Sequence, residues 1–343
     1  SMSKWYENGK CEDGIIISSR VRLARNLKKY NFYSKLTGSE AEKMINDVKN
    51  SILDERTAFG QQFKYAAVNK MNQNEKFAMV EKHIISPELM KSDKPCGVIY
   101  KDDETISIML NEEDHIRIQA ISPGDNIEEA FDTADKIDNL IEESVEFAFS
   151  EKYGYLTSCP TNVGTGLRAS YMMHLPELER TGQIRNVIQA ISKFGITVRG
   201  IYGEGSEAMG SVYQVSNQVT LGQSESEIIN NLKKVAAIIV QREQELQKKV
   251  YEANKDDVED KVWRSYGILK NARKISGKEA MQLISNLIEG RNMGIKDMPQ
   301  CSVGFTELMI NIQPAGLQLF NNREMLPSER DKYRAEYIRK TFE

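Results

Sequence analysis

Apolar positions recur along this chain with two different periods, and the change from one to the other divides it. Over roughly the first 250 residues, short β-rich runs alternate with amphipathic ones. ETISIML at 104–110, ITVRGIY at 196–202 and SVYQVSNQVTL at 211–221 have the β-branched and aromatic content of strands. Ser18–Arg25, directly after the apolar run Ile15–Ile17, reads as another. Between them, Asp125–Ser150 places Ile127, Phe131, Ala134, Ile137, Leu140, Ile141, Val145 and Phe149 three or four residues apart with acidic residues opposite, which predicts a long helix. A second helix is expected from about Thr181, as N-cap, to Phe194, with Gly195 as the stop. A third starts at Ser224, where Glu227 completes a capping-box pattern, and runs through LKKVAAIIVQREQELQKKV. The strands do not recur in regular βαβ units, so an α+β fold with a mixed or antiparallel sheet flanked by helices is expected rather than a doubly wound one.

From about Asp256 the strand patterns stop. KVWRSYGILKNARKI and SGKEAMQLISNLIEGRNMGI read as helices, the second opened by a further capping box of Ser276 and Glu279. The polar stretch EANKDDVED therefore separates a first domain, 1–252, from a small all-α domain, 256–343. No internal repeat is present.

Composition narrows the function classes. With 343 residues and 40% hydrophobic content the chain can bury a full core. Its charges nearly balance at a net −4, so no global field draws it to nucleic acid or to an anionic membrane. No run approaches the ~20 apolar residues of a membrane span. The start SMSKWYENGKCEDG lacks the apolar core and cleavage site of a signal peptide. Cys11, Cys96, Cys159 and Cys301 form no C-x-x-C pair, which argues against a zinc ribbon or a disulfide framework and for a reducing, cytoplasmic setting.

Four segments carry candidate chemistry. In SSRVRLAR, Arg20 and Arg22 project from one face of a strand, where two guanidiniums repel unless an anion lies between them; an edge strand with solvated charges is the plain alternative. NEEDHIR, Asn111–Arg117, sets Glu112, Glu113, Asp114, His115 and Arg117 at a strand end, a charge density that calls for a bound cation or else is a solvated turn. SCPTNVGTGLRAS combines Cys159, Gly164, Gly166 and Arg168, the glycines permitting close backbone approach. VRGIYGEGSEAMG holds Arg199 on a strand and Glu204 in the loop after it. That loop lacks G-K-[ST], so it is not a P-loop, and neither H-R-D nor D-F-G occurs.

In this order, SSRVRLAR, NEEDHIR, CPTNVGTGLRAS and RGIYGE resemble the phosphagen (guanidino) kinase family, which includes creatine and arginine kinases. The resemblance covers about residues 15–250 and implies a glutamine-synthetase-like catalytic fold, ATP as phosphate donor and Mg2+. It implies that Arg20, Arg22, Arg117, Arg168 and Arg199 clamp the nucleotide phosphates, with His83 as a further contact. Ser18, Ser19 and Val21 accompany the first pair; Ala169, Ser170, Tyr171 and Met172 follow Arg168; Gly200, Ile201, Tyr202, Gly203 and Glu204 follow Arg199. Glu113 and Glu204 resemble the carboxylates that hold the acceptor guanidinium, with Glu112 beside them, and Cys159 resembles the family's active-site cysteine. The metal would be held by phosphate oxygens and water, with no protein ligand.

The chain departs from the small-molecule kinases in ways that point to one branch. Those enzymes carry a helical domain ahead of the S-x-R-V-R motif, which here begins at Ser18; an open acceptor side suits an arginine carried on a protein. The helical extension ends in SERDKYRAEYIRK. Together these features resemble the protein-arginine kinases, in which R-D-x-x-R-A, here Arg330, Asp331, Arg334 and Ala335, belongs to a phosphoarginine-binding regulatory site. An ordinary helix surface with Asp331 and Arg334 as an i,i+3 pair is the alternative. The resemblance further implies protein substrates marked for a Clp-type unfoldase and protease, inactivation of a heat-shock repressor, an McsA-type activator and a homodimer, with no direct nucleic-acid or membrane partner. A kinase for free arginine and a catalytically inactive phosphoarginine reader or scaffold are the competing readings.

Overall fold

The computed structural model describes residues 2–7, 14–203 and 207–343. Its strands are β1 (Ile16–Arg25), β2 (Phe63–Ala66), β3 (Gly97–Lys101), β4 (Ile106–Leu110), β5 (Ile116–Pro123), β6 (Phe149–Ser150), β7 (Gly154–Tyr155), β8 (Leu167–His174), β9 (Ile196–Tyr202) and β10 (Ala208–Asn217). Its helices are α1 (Gly38–Ile52), α2 (Gln73–Glu81), α3 (Pro87–Met90), α4 (Ile127–Glu142), α5 (Pro176–Arg180), α6 (Ile184–Ser192), α7 (Glu225–Ala253), α8 (Lys255–Asn271), α9 (Gly277–Asn292), α10 (Phe305–Asn311), α11 (Pro314–Phe320) and α12 (Pro327–Thr341). Eight of the strands form a sheet in the order β2-β3-β4-β5-β1-β8-β10-β9, and β6 and β7 form a separate hairpin. The fold is α+β, as the patterning predicts. Two compact units are built from residues 1–5, 18–170 and 216–232, and from residues 6–17, 171–215 and 233–343.

In the first unit the sheet is antiparallel from β2 through β1, with Arg22 opposite Gln119 and Ala24 opposite Arg117 in the β1–β5 pairing. Alternation along β1 buries Val21 and Leu23 completely and leaves Arg20 and Arg22 half-buried on the other face. Helix α4 packs on β5 with Ile127, Ala130, Ala134, Ile137 and Ile141 buried. It ends eight residues before the period-based expectation, because the following chain is captured by backbone pairing: Lys28 N–H donates to Glu146 O and Ala148 N–H to Asn26 O. Val145 and Phe149 therefore lie outside the helix, and Phe149 begins β6.

In the second unit, β9 spans the residues its pattern predicts, whereas β10 begins and ends earlier than the apolar run. Thr181 is not an N-cap: it closes α5, its hydroxyl donating to Glu177 O, and α6 starts three residues later. Gly195, at φ 70°, does end the segment. Helix α9 buries Met281, Ile284, Leu287 and Ile288 against α8 and α10, and Ser276 caps it by accepting from Glu279 N–H. Three carboxyl side chains, Glu177, Glu243 and Glu289, are fully buried here. Glu289 accepts from Arg180 Nη2 at 2.9 Å and Lys261 Nζ at 3.1 Å, and Glu243 accepts the backbone N–H groups of Glu177 and Leu178. Burial and a hydrogen bond to Glu289 push the Glu177 carboxyl up to about 8. Glu289, held by Glu177, Lys261 and Arg180 against its own desolvation, stays below the usual range.

Candidate active site

Arg20, Arg22, Arg117 and Arg168 come together in the first unit. Strand alternation brings Arg20 and Arg22 to one face, the register sets Arg117 at the start of β5 beside them, and Arg168 is the second residue of β8. Arg22 Nε is buried with no hydrogen-bond partner. Burial, then the charges of Arg20 and Arg117, push the Arg22 guanidinium well below its ordinary pKa, with Arg168 adding to the effect and Glu112 opposing it. Clustered cations with an unfilled donor have the character of a polyanion site, since a phosphate oxygen both neutralises and accepts.

The neighbouring amides hold these arginines in place. Arg168 donates from Nε to Asn162 Oδ1 at 3.0 Å and from Nη1 to Asn217 O at 3.0 Å. Asn217 Oδ1 in turn accepts Ala169 N–H, and its Nδ2 donates to Leu167 O. Arg20 Nε lies 3.4 Å from Ser170 Oγ. Gly164 (φ 107°) and Gly166 (φ 64°) make the close approaches their spacing predicts: a Cβ on Gly166 would lie 2.6 Å from Ala24 O, and one on Gly164 2.4 Å from Thr220 O.

The two glutamates of NEEDHIR have different environments. Asn111, at φ 62°, turns the chain between β4 and β5, and its N–H donates to His115 O. Glu112 is buried, accepting from Arg117 Nη1 at 2.9 Å and from Ser86 Oγ at 2.6 Å. Glu113 is exposed, 3.8 Å from Arg117 Nη2, and hydrogen-bonds to Cys159. Desolvation, followed by Asp114 and Glu112, raises its carboxyl, while Arg117 and Cys159 work in the opposite sense. Cys159 Sγ also lies 2.8 Å from Thr161 Oγ1. An accessible carboxylate, a thiol and the arginine cluster are thus contiguous.

The other candidates are placed as follows. His83 has φ 61°, and burial and Arg20 push its imidazole down to about 4; its carbonyl accepts from Gln119 Nε2. Ser19 Oγ donates to Gly124 O and accepts from Asn126 N–H, fixing the β5–α4 turn; Val21 faces the core. Tyr171, Met172, Arg199, Gly200, Ile201, Tyr202 and Gly203 belong to the second unit, where Arg199 is exposed on β9. Glu204 lies outside the described residues, as does Cys11. Ser86, Gln119, Asn162 and Asn217 were not legible in sequence, because single polar residues in strands and turns carry no spacing signal.

On α12, Arg334 is buried and donates from Nε to Ile312 O at 2.9 Å and from Nη1 to Ile275 O at 3.0 Å and to Asp331 Oδ1 at 2.7 Å. Arg330 Nη1 donates to Met325 O, and Ala335 is buried. Among the described residues no group of three His, Cys, Asp or Glu side chains is arranged to hold a metal, and no helix is long and apolar enough to cross a membrane.

The fold is shared with guanidino kinases of known structure. Lombricine kinase matches with a TM-score of 0.60 at 23% identity over 74% of this chain and 72% of that one. The duplicated taurocyamine kinase of Schistosoma mansoni matches with a TM-score of 0.59 at 23% identity, over 70% of this chain and 34% of that one. The family model for the ATP:guanido phosphotransferase C-terminal catalytic domain matches residues 43–246, and that for the protein-arginine kinase McsB C-terminal domain matches residues 255–343. A protein-arginine kinase of Caldanaerobacter subterraneus subsp. tengcongensis is 47% identical over 94% of this chain and 96% of its own length. That of Bacillus subtilis is 44% identical over 99% of this chain and 93% of its own. The chain belongs to the ATP:guanido phosphotransferase family, and within it to the protein-arginine kinases.

Proposed function

We propose that this chain transfers the γ-phosphate of ATP to arginine side chains of proteins. The observation that carries this reading is the contact of Glu113 with Cys159 beside Arg117 and Arg168, in a chain of this family. A guanidinium has a pKa above about 12 and is a poor nucleophile while protonated. Glu113, raised and exposed, orients it and takes a proton from the attacking nitrogen as the new N–P bond forms and the bond from γ-phosphorus to the β–γ bridging oxygen breaks. Arg20, Arg22, Arg117, Arg168 and Arg199 stabilise charge on the phosphoryl oxygens, His83 and the backbone flanking these arginines contact the nucleotide, and Glu112 fixes Arg117. Glu204 is the second carboxylate on the acceptor. Mg2+ would be held by the nucleotide's phosphate oxygens and water, and would supply charge neutralisation there.

Residues 1–252 form the catalytic domain and 256–343 a helical domain that binds phosphoarginine and forms the homodimer; the separate family models, ending at 246 and starting at 255, support that division. The regulatory site consists of Arg330, Asp331, Arg334 and Ala335; Arg334 is anchored to the Ile312 and Ile275 carbonyls, and Asp331 is half-exposed. The modified proteins pass to a Clp-type unfoldase and protease, a heat-shock repressor is among them, and an McsA-type activator assists, all in the cytoplasm.

The test is incubation with Mg-ATP and either an unfolded arginine-rich protein or free arginine, scoring acid-labile N-phosphate by phosphorus NMR. Phosphate on protein arginine is expected. Phosphate on free arginine alone would reassign the chain to a small-molecule kinase, and ATP binding without transfer would make it a reader or scaffold.

A further inference from the structure

We infer that Asn26 and Asp114 are positioning residues that lock the Glu113 loop to the Cys159 loop and so set the shape of the acceptor side. The inference rests on the reading of Glu113 and Cys159 given above and deepens it.

Both side chains are almost fully buried, at 1% and 2% exposure, in a place where buried polar groups destabilise unless they are used. Asp114 Oδ1 accepts two hydrogen bonds of 2.7 Å, one from Asn26 Nδ2 and one from the backbone N–H of Ser158. Asp114 is the chain neighbour of Glu113, and Ser158 is the chain neighbour of Cys159. A single oxygen thus joins the two loops one residue away from each functional side chain. Asn26 braces the same junction from the end of β1: its Oδ1 accepts His115 N–H at 2.9 Å, and its Nδ2 also reaches Leu156 O at 3.1 Å. His115 completes the brace with its ring. Its Nδ1 accepts Leu27 N–H at 3.0 Å, so Nε2 carries the proton and donates to Asn31 O at 2.7 Å.

A purely architectural role needs only those acceptors, and it leaves the other oxygen unexplained. Asp114 Oδ2 is buried with no hydrogen-bond partner, so the loop contacts use only half of the carboxyl group. The same side chain bears on Glu113, whose other charged neighbours are Arg117, Glu112 and, beyond them, Arg168, with the Cys159 thiol in contact. Asp114 is among the groups that raise the Glu113 carboxyl, which keeps it a stronger base for the acceptor proton. The buried carboxylate therefore holds the loops by one oxygen and tunes the base through its charge.

The experiment compares Asp114→Ala and Asp114→Asn in the full chain by three readouts: turnover on protein arginine, nucleotide affinity, and the rate at which iodoacetamide alkylates Cys159, followed on its own peptide by mass spectrometry. Asp114→Ala is expected to lower kcat about 10²-fold, the scale of a displacement of about 1 Å, with ATP affinity nearly unchanged and Cys159 alkylation altered at least about threefold. Asp114→Asn is expected to restore the alkylation rate while shifting the acidic limb of the kcat/KM profile to lower pH. Wild-type alkylation and turnover in Asp114→Ala would sink the proposal, as would parallel loss of nucleotide binding and turnover in both variants. If Asp114→Ala does not fold, Asp114→Asn decides alone: a lowered acidic limb with kcat retained supports the role, and an unmoved limb refutes it. Alkylation and nucleotide binding need no turnover, so a wild-type protein that phosphorylates no arginine would overturn the functional reading while leaving the loop lock separately measurable.

Discussion

Arg25 and Asp138 form a two-armed ion pair, Nε to Oδ1 and Nη2 to Oδ2 both at 3.0 Å, with the guanidinium 3.5 Å from the centre of the Tyr155 ring. Its remaining arm, Nη1, donates to Ala24 O and Thr165 O. Although it shares the SSRVRLAR segment with Arg20 and Arg22, Arg25 thus supports β1 and α4 rather than the anion cluster. Removing one partner leaves a buried charge unpaired, so Asp138→Ala is expected to lower stability by about 3–5 kcal/mol in urea unfolding. A change under about 1 kcal/mol would show the pair to be solvated in solution.

Glu113→Gln preserves the side chain's size and its contact with Cys159 while removing the base. Turnover should fall by about 10²–10⁴-fold with ATP affinity within about twofold of wild type. Rapid-quench kinetics and equilibrium titration separate the two quantities, and unchanged turnover would exclude Glu113 as proton acceptor.

Arg22 is a probe of the anion cluster, because Arg20, Arg117 and Arg168 repel it while Glu112 attracts it. Tripolyphosphate in hundredfold excess over its Kd should stabilise the wild type by about 2.7 kcal/mol. In Arg22→Met, which keeps the aliphatic stem, that gain should shrink by at least half while the ligand-free melting temperature rises. A melting temperature that drops instead would mean that the stem's packing, not the charge, dominates at this position.

The buried Glu177 makes stability depend on pH in a definite direction. Its folded pKa, raised to about 8, lies above the unfolded value of 4.5, so the folded state binds the extra proton between them. The stability linked to that proton is complete below the unfolded value and is lost as pH rises through the folded one. Thermal midpoints should therefore fall as pH rises from 4.5 to about 8 and level off above that, and Glu177→Gln should flatten the decline. An equal decline in both proteins would assign it elsewhere.

Much of this architecture was legible where local signals and tertiary context agree. The apolar alternation of Ile196–Tyr202 gave its strand to the residue, and Ser224 with Glu227 gave the start of α7. Legibility failed where a distant partner intervened. The helical period past Glu142 is real in the sequence, but residues 146 and 148 pair with the backbone of residues 28 and 26, and no local pattern announces that. Thr181 has an N-cap's side chain but ends a five-residue helix, its hydroxyl turned back to Glu177. Within the site, arginines and glutamates were found by ordered motifs, whereas Asn217, which seats Arg168 through its carbonyl, looks like any polar residue at a strand end.

All three histidines are held on the low side of imidazole's ordinary pKa: His83 and His174 at about 4, and His115 in the same direction with both ring nitrogens engaged by the backbone. The folded protein therefore carries almost no buffering imidazole across the neutral range, where histidine would ordinarily be the responsive group. Any swing of activity with cellular acidity has to be read through carboxyl groups such as Glu113 and Glu177, through thiols, or through the nucleotide itself.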